Sequence, residues 1–267
     1  MSIRMQNRRE AASLLLGVGA ATVARGSIAA PGTRGPSVEI EARPERLIVE
    51  LRRSAILVID MQNAFGAPGG MFARAGIDIS GIRAVVPAVQ VAVAAGRTAG
   101  LPVVYLKMGF QPDLRDAGPA DGPNLLKHAL LHVGQAVPAP DGRPNRILIR
   151  DTWDTEIIPE LRPRPSDLVL YKTRYSGFVG TTLDEELRRR GIDTLIVTGC
   201  TTSVCVESTV RDAFFRNYRC IVLEDCAAEP IGANLVRSNH ESSLLTMQVS
   251  FGWISNSKKL GQALASV

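Results

Sequence analysis

Cysteine is scarce in this chain, four in 267 residues, and histidine is scarcer still at three. A disulfide-stapled miniprotein is thereby excluded, and a chain this long needs no staples, since a domain of about 250 residues buries roughly three quarters of its unfolded surface. Cys200, Cys205, Cys220 and Cys226 lack the spacing of a zinc ribbon. No stretch reaches the roughly 20 apolar residues a membrane-crossing helix needs; the uncharged run Ala11 to Ala24 has fourteen. An internal repeat is also missing. Surplus charge is small: 31 basic against 26 acidic residues give +5, and residues 1 to 30 hold four Arg and one Glu of these. The remainder carries 27 basic and 25 acidic residues, a balance that argues against nucleic acid or another polyanion as partner. What is present, 45% hydrophobic and 21% charged residues, is the composition of an ordinary globular protein with a large core.

Three regions separate along the chain. Arg8 and Arg9 precede the run AASLLLGVGAATVA, and small residues stand at Ser27 and Ala29. Residues 1 to 30 therefore read as a twin-arginine type signal peptide cleaved after Ala29, which predicts an exported, periplasmic protein; without that signal it is cytoplasmic. Ala11 and Ala12 depart from the bulky apolar residues usual there. Pro31 to Arg46 (PGTRGPSVEIEARPER) reads as an extended connector, leaving residues 47 to 267 as one domain.

In that domain apolar runs of strand length alternate with helix-period segments, the pattern of a parallel sheet covered on both faces. Strands are expected at Ser54–Asp60, Pro102–Leu106, Asp167–Tyr171, Thr194–Thr198, Cys220–Leu223 and near Val249–Ile254. Helices are expected at Ile82–Ala99, Thr182–Arg190, Ser203–Asn217, Ala233–Leu245 and from Ser257 onward. Between Lys107 and Arg164 Gly and Pro are frequent and periodicity is weak, as in a long excursion that covers a site.

Ligands of open parallel sheets bind beyond the carboxyl ends of the strands. Three reactive side chains fall there: Asp60 ends the first strand, Lys172 follows the third, and Cys205 lies where a helix begins after the fourth. Each alone has an ordinary use, as turn cap, solvated charge or inert buried thiol. Together they supply what acyl transfer needs: a nucleophile, a carboxylate base and a cation. The helix dipole and free backbone N–H groups are expected to favour the Cys205 thiolate.

The segments VIDMQNAF around Asp60, YKTRYSGFVGTTLDEEL around Lys172 and TGCTTSVCVESTVRDAFFRNY around Cys205 resemble the isochorismatase-like cysteine hydrolases over about Ser54 to Trp253. Within that family NAFGAPGG, RYSGF and CVESTVRD are most similar to ureidoacrylate amidohydrolases. The resemblance implies an α/β fold of three layers, α/β/α, around a six-stranded, mainly parallel sheet. It also implies a Cys-Asp-Lys triad in which Cys205 attacks an amide or ureido carbon, Asp60 moves the proton and Lys172 orients both. A cis peptide at Cys200-Thr201 and an oxyanion hole from the N–H groups of Thr201 and Cys205 follow from it too. The substrate implied is a small ureido or carbamoyl compound cleaved through a covalent cysteine intermediate. The alternatives are a plain carboxamide, or a catalytically inactive small-molecule-binding member of the fold. Met108, Phe110, Asp116, Arg174 and Tyr175 are the expected substrate-binding residues. No cofactor is expected. Nicotinamidases of the family bind a metal through an Asp and two His; His128 and His132 are an i, i+4 pair, but no Asp-x-His precedes them, so no metal is expected either. A homo-oligomer is expected, and an exported chain could pair Cys220 with Cys226.

Overall fold

Strand runs and helix-period segments alternate in space as they do in sequence. The computed structural model describes residues 35–267; the expected leader and the start of the expected connector lie outside them. In chain order the elements are β1 (Ser37–Ile40), β2 (Leu47–Glu50), β3 (Ser54–Ile59), α1 (Asn63–Gly66), α2 (Met71–Arg74), α3 (Ser80–Thr98), β4 (Val103–Met108), α4 (Pro123–Ala129), β5 (Ala136–Pro138), β6 (Pro144–Arg146), β7 (Leu168–Lys172), α5 (Leu183–Arg189), β8 (Thr194–Cys200), α6 (Glu207–Phe215), β9 (Arg219–Ala228), α7 (Asn239–Ser250), β10 (Trp253–Ser255) and α8 (Ser257–Leu264). Among the described residues no helix is long and apolar enough to cross a membrane.

Six strands form one sheet in the order β10-β9-β8-β3-β4-β7, and every pairing in it is parallel. β3 is central, and all six of its residues are buried. Its side chains alternate between two cores: Ile56 and Val58 meet Val86, Val89 and Val93 of α3, while Leu57 and Ile59 share the other face with Leu187 of α5 and Val210 of α6. Each such aliphatic side chain contributes about 1.5–3 kcal/mol when fully buried. The helices on both faces complete the three-layer α/β/α architecture.

The connector expected over residues 31 to 46 is corrected from Gly35 onward. Ser37–Ile40 pairs antiparallel with Leu47–Glu50, and Val38, Ile40 and Val49 join the core that contains Leu260 of α8. Arg43 exchanges backbone hydrogen bonds with Ile254 at 2.8 and 2.9 Å, which fixes the hairpin to the edge of the sheet. Alternation of polar Ser37 and Glu39 with apolar Val38 and Ile40 is the signal for this strand, obscured by the flanking prolines.

The Cys220–Cys226 pairing is corrected as well. Both thiols are free and buried on β9, and six residues of strand span about 20 Å, far beyond disulfide reach. The excursion from Lys107 to Arg164 is built of α4, the β5–β6 hairpin and short 3₁₀ turns at Trp153–Thr155 and Pro159–Leu161, and it lies over the carboxyl end of the sheet.

Candidate active site

Asp60 leaves β3 with a φ of 53°, a left-handed conformation that Asp tolerates better than most side chains. Its N–H donates to the Leu106 carbonyl of β4 at 2.9 Å, so the backbone is anchored while the carboxylate turns over the strand ends. Lys172 is the last residue of β7, and β4 separates that strand from β3. Two strand spacings are about 10 Å, a gap only a long side chain bridges. Its Nζ stands 2.7 Å from Asp60 Oδ2, passing the Met108 sulfur at 3.7 Å on the way. The same Nζ lies 3.4 Å from Cys205 Sγ and 3.3 Å from the Arg174 carbonyl oxygen.

Cys205 is held by a turn rather than by the first turn of a regular helix. The Thr201 carbonyl accepts from the N–H groups of Val204 and Val206, at 3.2 and 3.1 Å; the second, an i to i+5 bond, makes Thr202–Val206 one turn of π-helix ahead of α6. The Cys200-Thr201 peptide bond before it is cis. Gly199, with φ of 120°, brings β8 so close to β3 that a Cβ there would sit 2.0 Å from the Ile59 carbonyl oxygen. Glycine is required at that point.

Electrostatics correct one expectation. Burial raises the Cys205 thiol far above the ordinary cysteine range; the Lys172 ammonium offsets this only in part, and Asp60 adds to it. The resting group is therefore a thiol, not the thiolate that the helix dipole was expected to favour, because desolvation outweighs one turn of aligned N–H groups. Burial also raises the Asp60 carboxyl, opposed by Lys172 and by the Cys205 thiol. Burial works against the Lys172 ammonium, yet Asp60 and Cys205 carry its pKa above the usual lysine value. Lys172 and Asp60 thus form a close buried pair beside a Cys205 whose burial favours the protonated thiol.

A cavity of about 300 Å³ opens over Asp60, Thr201 and Cys205. Of the expected substrate-binding residues, Met108 and Tyr175 line it. Phe110, Asp116 and Arg174 do not. Phe110 is fully buried, with its ring edge-to-face behind His128 at 5.1 Å. Asp116 pairs with Arg150 at 2.9 Å and accepts from the Gln111 N–H, and Arg174 donates to the carbonyls of Asp116 and Thr173. Each of the two charged side chains therefore has partners within the excursion or its border. The walls come instead from Phe65, Phe72, His128, Leu131, Leu148 and Ile231, together with neighbouring apolar side chains. Sequence reasoning did not reach these residues; of them only His128 drew notice, as half of a histidine pair. That pair does not form on one helical face, because α4 ends at Ala129 and His132 has a φ of 56°. Among the described residues no three His, Cys, Asp or Glu side chains come together as a metal site.

Three positioning residues also escaped the sequence reading. Gln62 uses its amide at both ends, accepting from the Met108 N–H at 2.8 Å and donating to the Met108 carbonyl at 2.9 Å, which ties β3 to the end of β4. Glu229 accepts from both the backbone N–H and the hydroxyl of Ser203 in the π turn, and from the Ile231 N–H beside the cavity. Thr209 donates to the Cys205 carbonyl at 2.7 Å. The paired amides of VIDMQN, placed immediately after a strand, are the one local signal that could have drawn notice. Within NAFGAPGG, Gly70 stands where a Cβ would meet the Asn63 carbonyl oxygen at 2.0 Å.

Over 225 residues, 84% of this chain and 86% of the other, the sequence is 42% identical to the ureidoacrylate amidohydrolase RutB of Variovorax paradoxus. The fold is similar to a cysteine hydrolase from Pseudomonas syringae pv. phaseolicola, with a TM-score of 0.69 at 29% identity over 86% of this chain and 98% of that one. It is also similar to N-carbamoylsarcosine amidase from Thermoplasma acidophilum, with a TM-score of 0.57 at 29% identity over 77% and 96% of the two chains. With residues 54–259 matching the isochorismatase domain, the chain belongs to the isochorismatase family.

Proposed function

We propose that this chain is a cysteine amidohydrolase that cleaves a small ureido or carbamoyl compound. The observation that carries the proposal is the buried contact of Asp60, Lys172 and Cys205, of which Asp60 and Cys205 line the cavity and Lys172 lies beneath them. In the proposed reaction the Cys205 sulfur attacks the ureido carbon while its proton passes to Asp60, whose raised carboxyl is a better match for a thiol than an ordinary carboxylate. Lys172 keeps the base ionised until then and stabilises the sulfur as it loses its proton. Charge that develops on the carbonyl oxygen is taken by the N–H groups of Thr201 and Cys205, at the base of the π turn. Collapse breaks the carbon–nitrogen bond, the proton on Asp60 goes to the leaving nitrogen, and a carbamoyl group stays on sulfur. Water, deprotonated by Asp60, releases it as carbamate, which decays to ammonia and carbon dioxide.

The test is ammonia release from a panel of ureides and carboxamides, with intact-mass detection of the S-carbamoyl adduct after acid quench. The reading expects turnover of ureides, an adduct on Cys205, and neither from Cys205→Ala. Carboxamides cleaved at least about a hundredfold better than every ureide, roughly 2.7 kcal/mol in transition-state binding, would replace it with plain amide hydrolysis.

Two further proposals concern the chain as a whole. Residues 1 to 30 direct export, which N-terminal sequencing after expression in a host with twin-arginine transport checks by a start near Ala30. The chain associates with itself through the exposed rings of Phe214 and Phe215 beside Phe251 and Trp253, an apolar patch of the kind that marks interfaces. Sedimentation of Phe215→Glu tests this, with a smaller species expected than for the wild type.

A further inference from the structure

The mechanism leaves one buried side chain of the cavity without a task. His128 is 4% exposed and sits between the Phe110 ring and the Tyr175 ring, whose centroid is 5.6 Å away at a 33° tilt. Its Nδ1 lies 2.7 Å from the Asn124 carbonyl oxygen. A carbonyl only accepts, so Nδ1 carries the proton and donates it there. In the neutral ring Nε2 then keeps a free lone pair, and no donor among the described residues reaches it. Tyr175 stacks against the ring, and the charges of Asp60, Lys172 and Arg174 act on it. Burial lowers the imidazole pKa, and Lys172 and Arg174 lower it further against the opposing pull of Asp60, so the ring is neutral at pH 7. The imidazole lines the same cavity as Cys205, among side chains that are otherwise mostly apolar.

We infer that His128 is a specificity-determining residue whose Nε2 accepts a hydrogen bond from an N–H of the substrate, so that the site selects ureides or amides that keep an N–H beside the scissile carbonyl. This inference rests on the amidohydrolase function proposed above. An acceptor held in an apolar cavity rewards a donor and is left desolvated and unpaired by a substrate without one. Phe110 and Tyr175 fix the ring plane, and the Asn124 carbonyl fixes the tautomer.

The experiment compares wild type, His128→Gln and His128→Phe on three matched ureides: the parent, a form methylated on the internal nitrogen and a form dimethylated on the terminal nitrogen, each of the last two lacking any N–H on one side of the carbonyl. In the wild type at least one methylation is expected to raise KM tenfold or more with a smaller change in kcat. His128→Gln, which retains an amide acceptor, is expected to keep most of that discrimination. His128→Phe, which fills the space without an acceptor, is expected to reduce it below threefold. Calorimetric binding of the same ureides to Cys205→Ala, with and without the His128 substitutions, reads the contact apart from turnover. If His128→Phe does not fold by circular dichroism, His128→Leu is read in the same way. Full discrimination retained without an acceptor at position 128 overturns the role of His128 and leaves the amidohydrolase function standing; a wild type that hydrolyses no ureide or amide overturns the function itself.

Discussion

Lys172 crosses over the end of β4 to meet Asp60, and both side chains are essentially inaccessible to water. A buried pair of this kind is costly to break from one side, since the remaining charge loses its partner and stays desolvated. Lys172→Met is therefore expected to lower unfolding free energy by about 3–5 kcal/mol in urea titrations at pH 7.5. Without the ammonium, burial is opposed only by the hydrogen bonds from Cys205 and the Met108 backbone and holds the folded pKa of Asp60 above the unfolded value, so this variant regains stability as pH falls and loses it as pH rises. Combining it with Asp60→Leu should recover at least about 1 kcal/mol relative to the single variant, the mark of direct coupling. Cys205 gives a kinetic counterpart. With a thiol raised by burial, its alkylation by iodoacetamide should be slow at pH 7 and climb about tenfold per pH unit to pH 9 without a plateau, as peptide mapping would show. A plateau below pH 8 would mean a resting thiolate. Asp60, Lys172 and Cys205 were legible in the sequence because reactive residue types stood at predicted strand ends, where the topology of a parallel sheet collects them. Phe110, Asp116 and Arg174 lie outside the cavity lining, held by partners, His128, Arg150 and the Asp116 carbonyl, that are far along the chain or across a loop with no period to read.

At the scale of elements, the π turn that carries the nucleophile has no strong side-chain cap of its own. Glu229, beyond the end of β9, supplies the anchor through two hydrogen bonds to Ser203, and a third to Ile231 ties the cavity wall to the same carboxylate. Glu229→Ala should lower stability by about 1.5–3 kcal/mol, the range for hydrogen bonds to a charged group, and reduce kcat/KM more than tenfold with the far-ultraviolet spectrum unchanged. Equal kcat/KM in a destabilised variant would show that the anchor serves the fold alone. Five of the strands were legible as apolar runs of a sheet covered on both faces, whereas the sixth, expected near Val249–Ile254, is confined to Trp253–Ser255 because Val249 and Ser250 close α7. Helix boundaries were less so. α7 was expected from Ala233 but begins at Asn239, where Ser238 and Glu241 form a reciprocal capping box. The S-x-x-E spacing was in the sequence, yet apolar residues at Leu235 and Val236, which are exposed, extended the apparent period upstream. The helix expected from Ser203 divides into the π turn and α6, a distinction made by one i to i+5 bond that apolar spacing cannot reveal.

For the molecule as a whole, the pH dependence of stability includes a buried carboxylate that is not among the reacting groups. Asp154 is fully buried, and burial lifts its pKa to about 6 against the hydrogen bond from the Leu148 N–H. A carboxyl with a folded pKa above its unfolded value binds protons more tightly when folded, so its contribution declines as pH rises from about 4 to about 6. Asp154→Asn should therefore be more stable than wild type at pH 7.5, by up to about 3 kcal/mol, with the difference vanishing near pH 4. Urea titrations across that range check it; taking the difference between the two proteins cancels the exposed carboxylates whose pKa values are lowered. Asp60 and Lys172 sit at strand ends and Cys205 in the π turn after β8, whereas the walls over them come mostly from residues 65 to 77 and 127 to 148. Reaction and selectivity thus occupy separate stretches of chain, and they can diverge separately. An insertion, deletion or exchange confined to the walls alters what is admitted without disturbing how it is cut, so descendants of one ancestral hydrolase can turn to new nitrogen compounds while the strand ends stay the same.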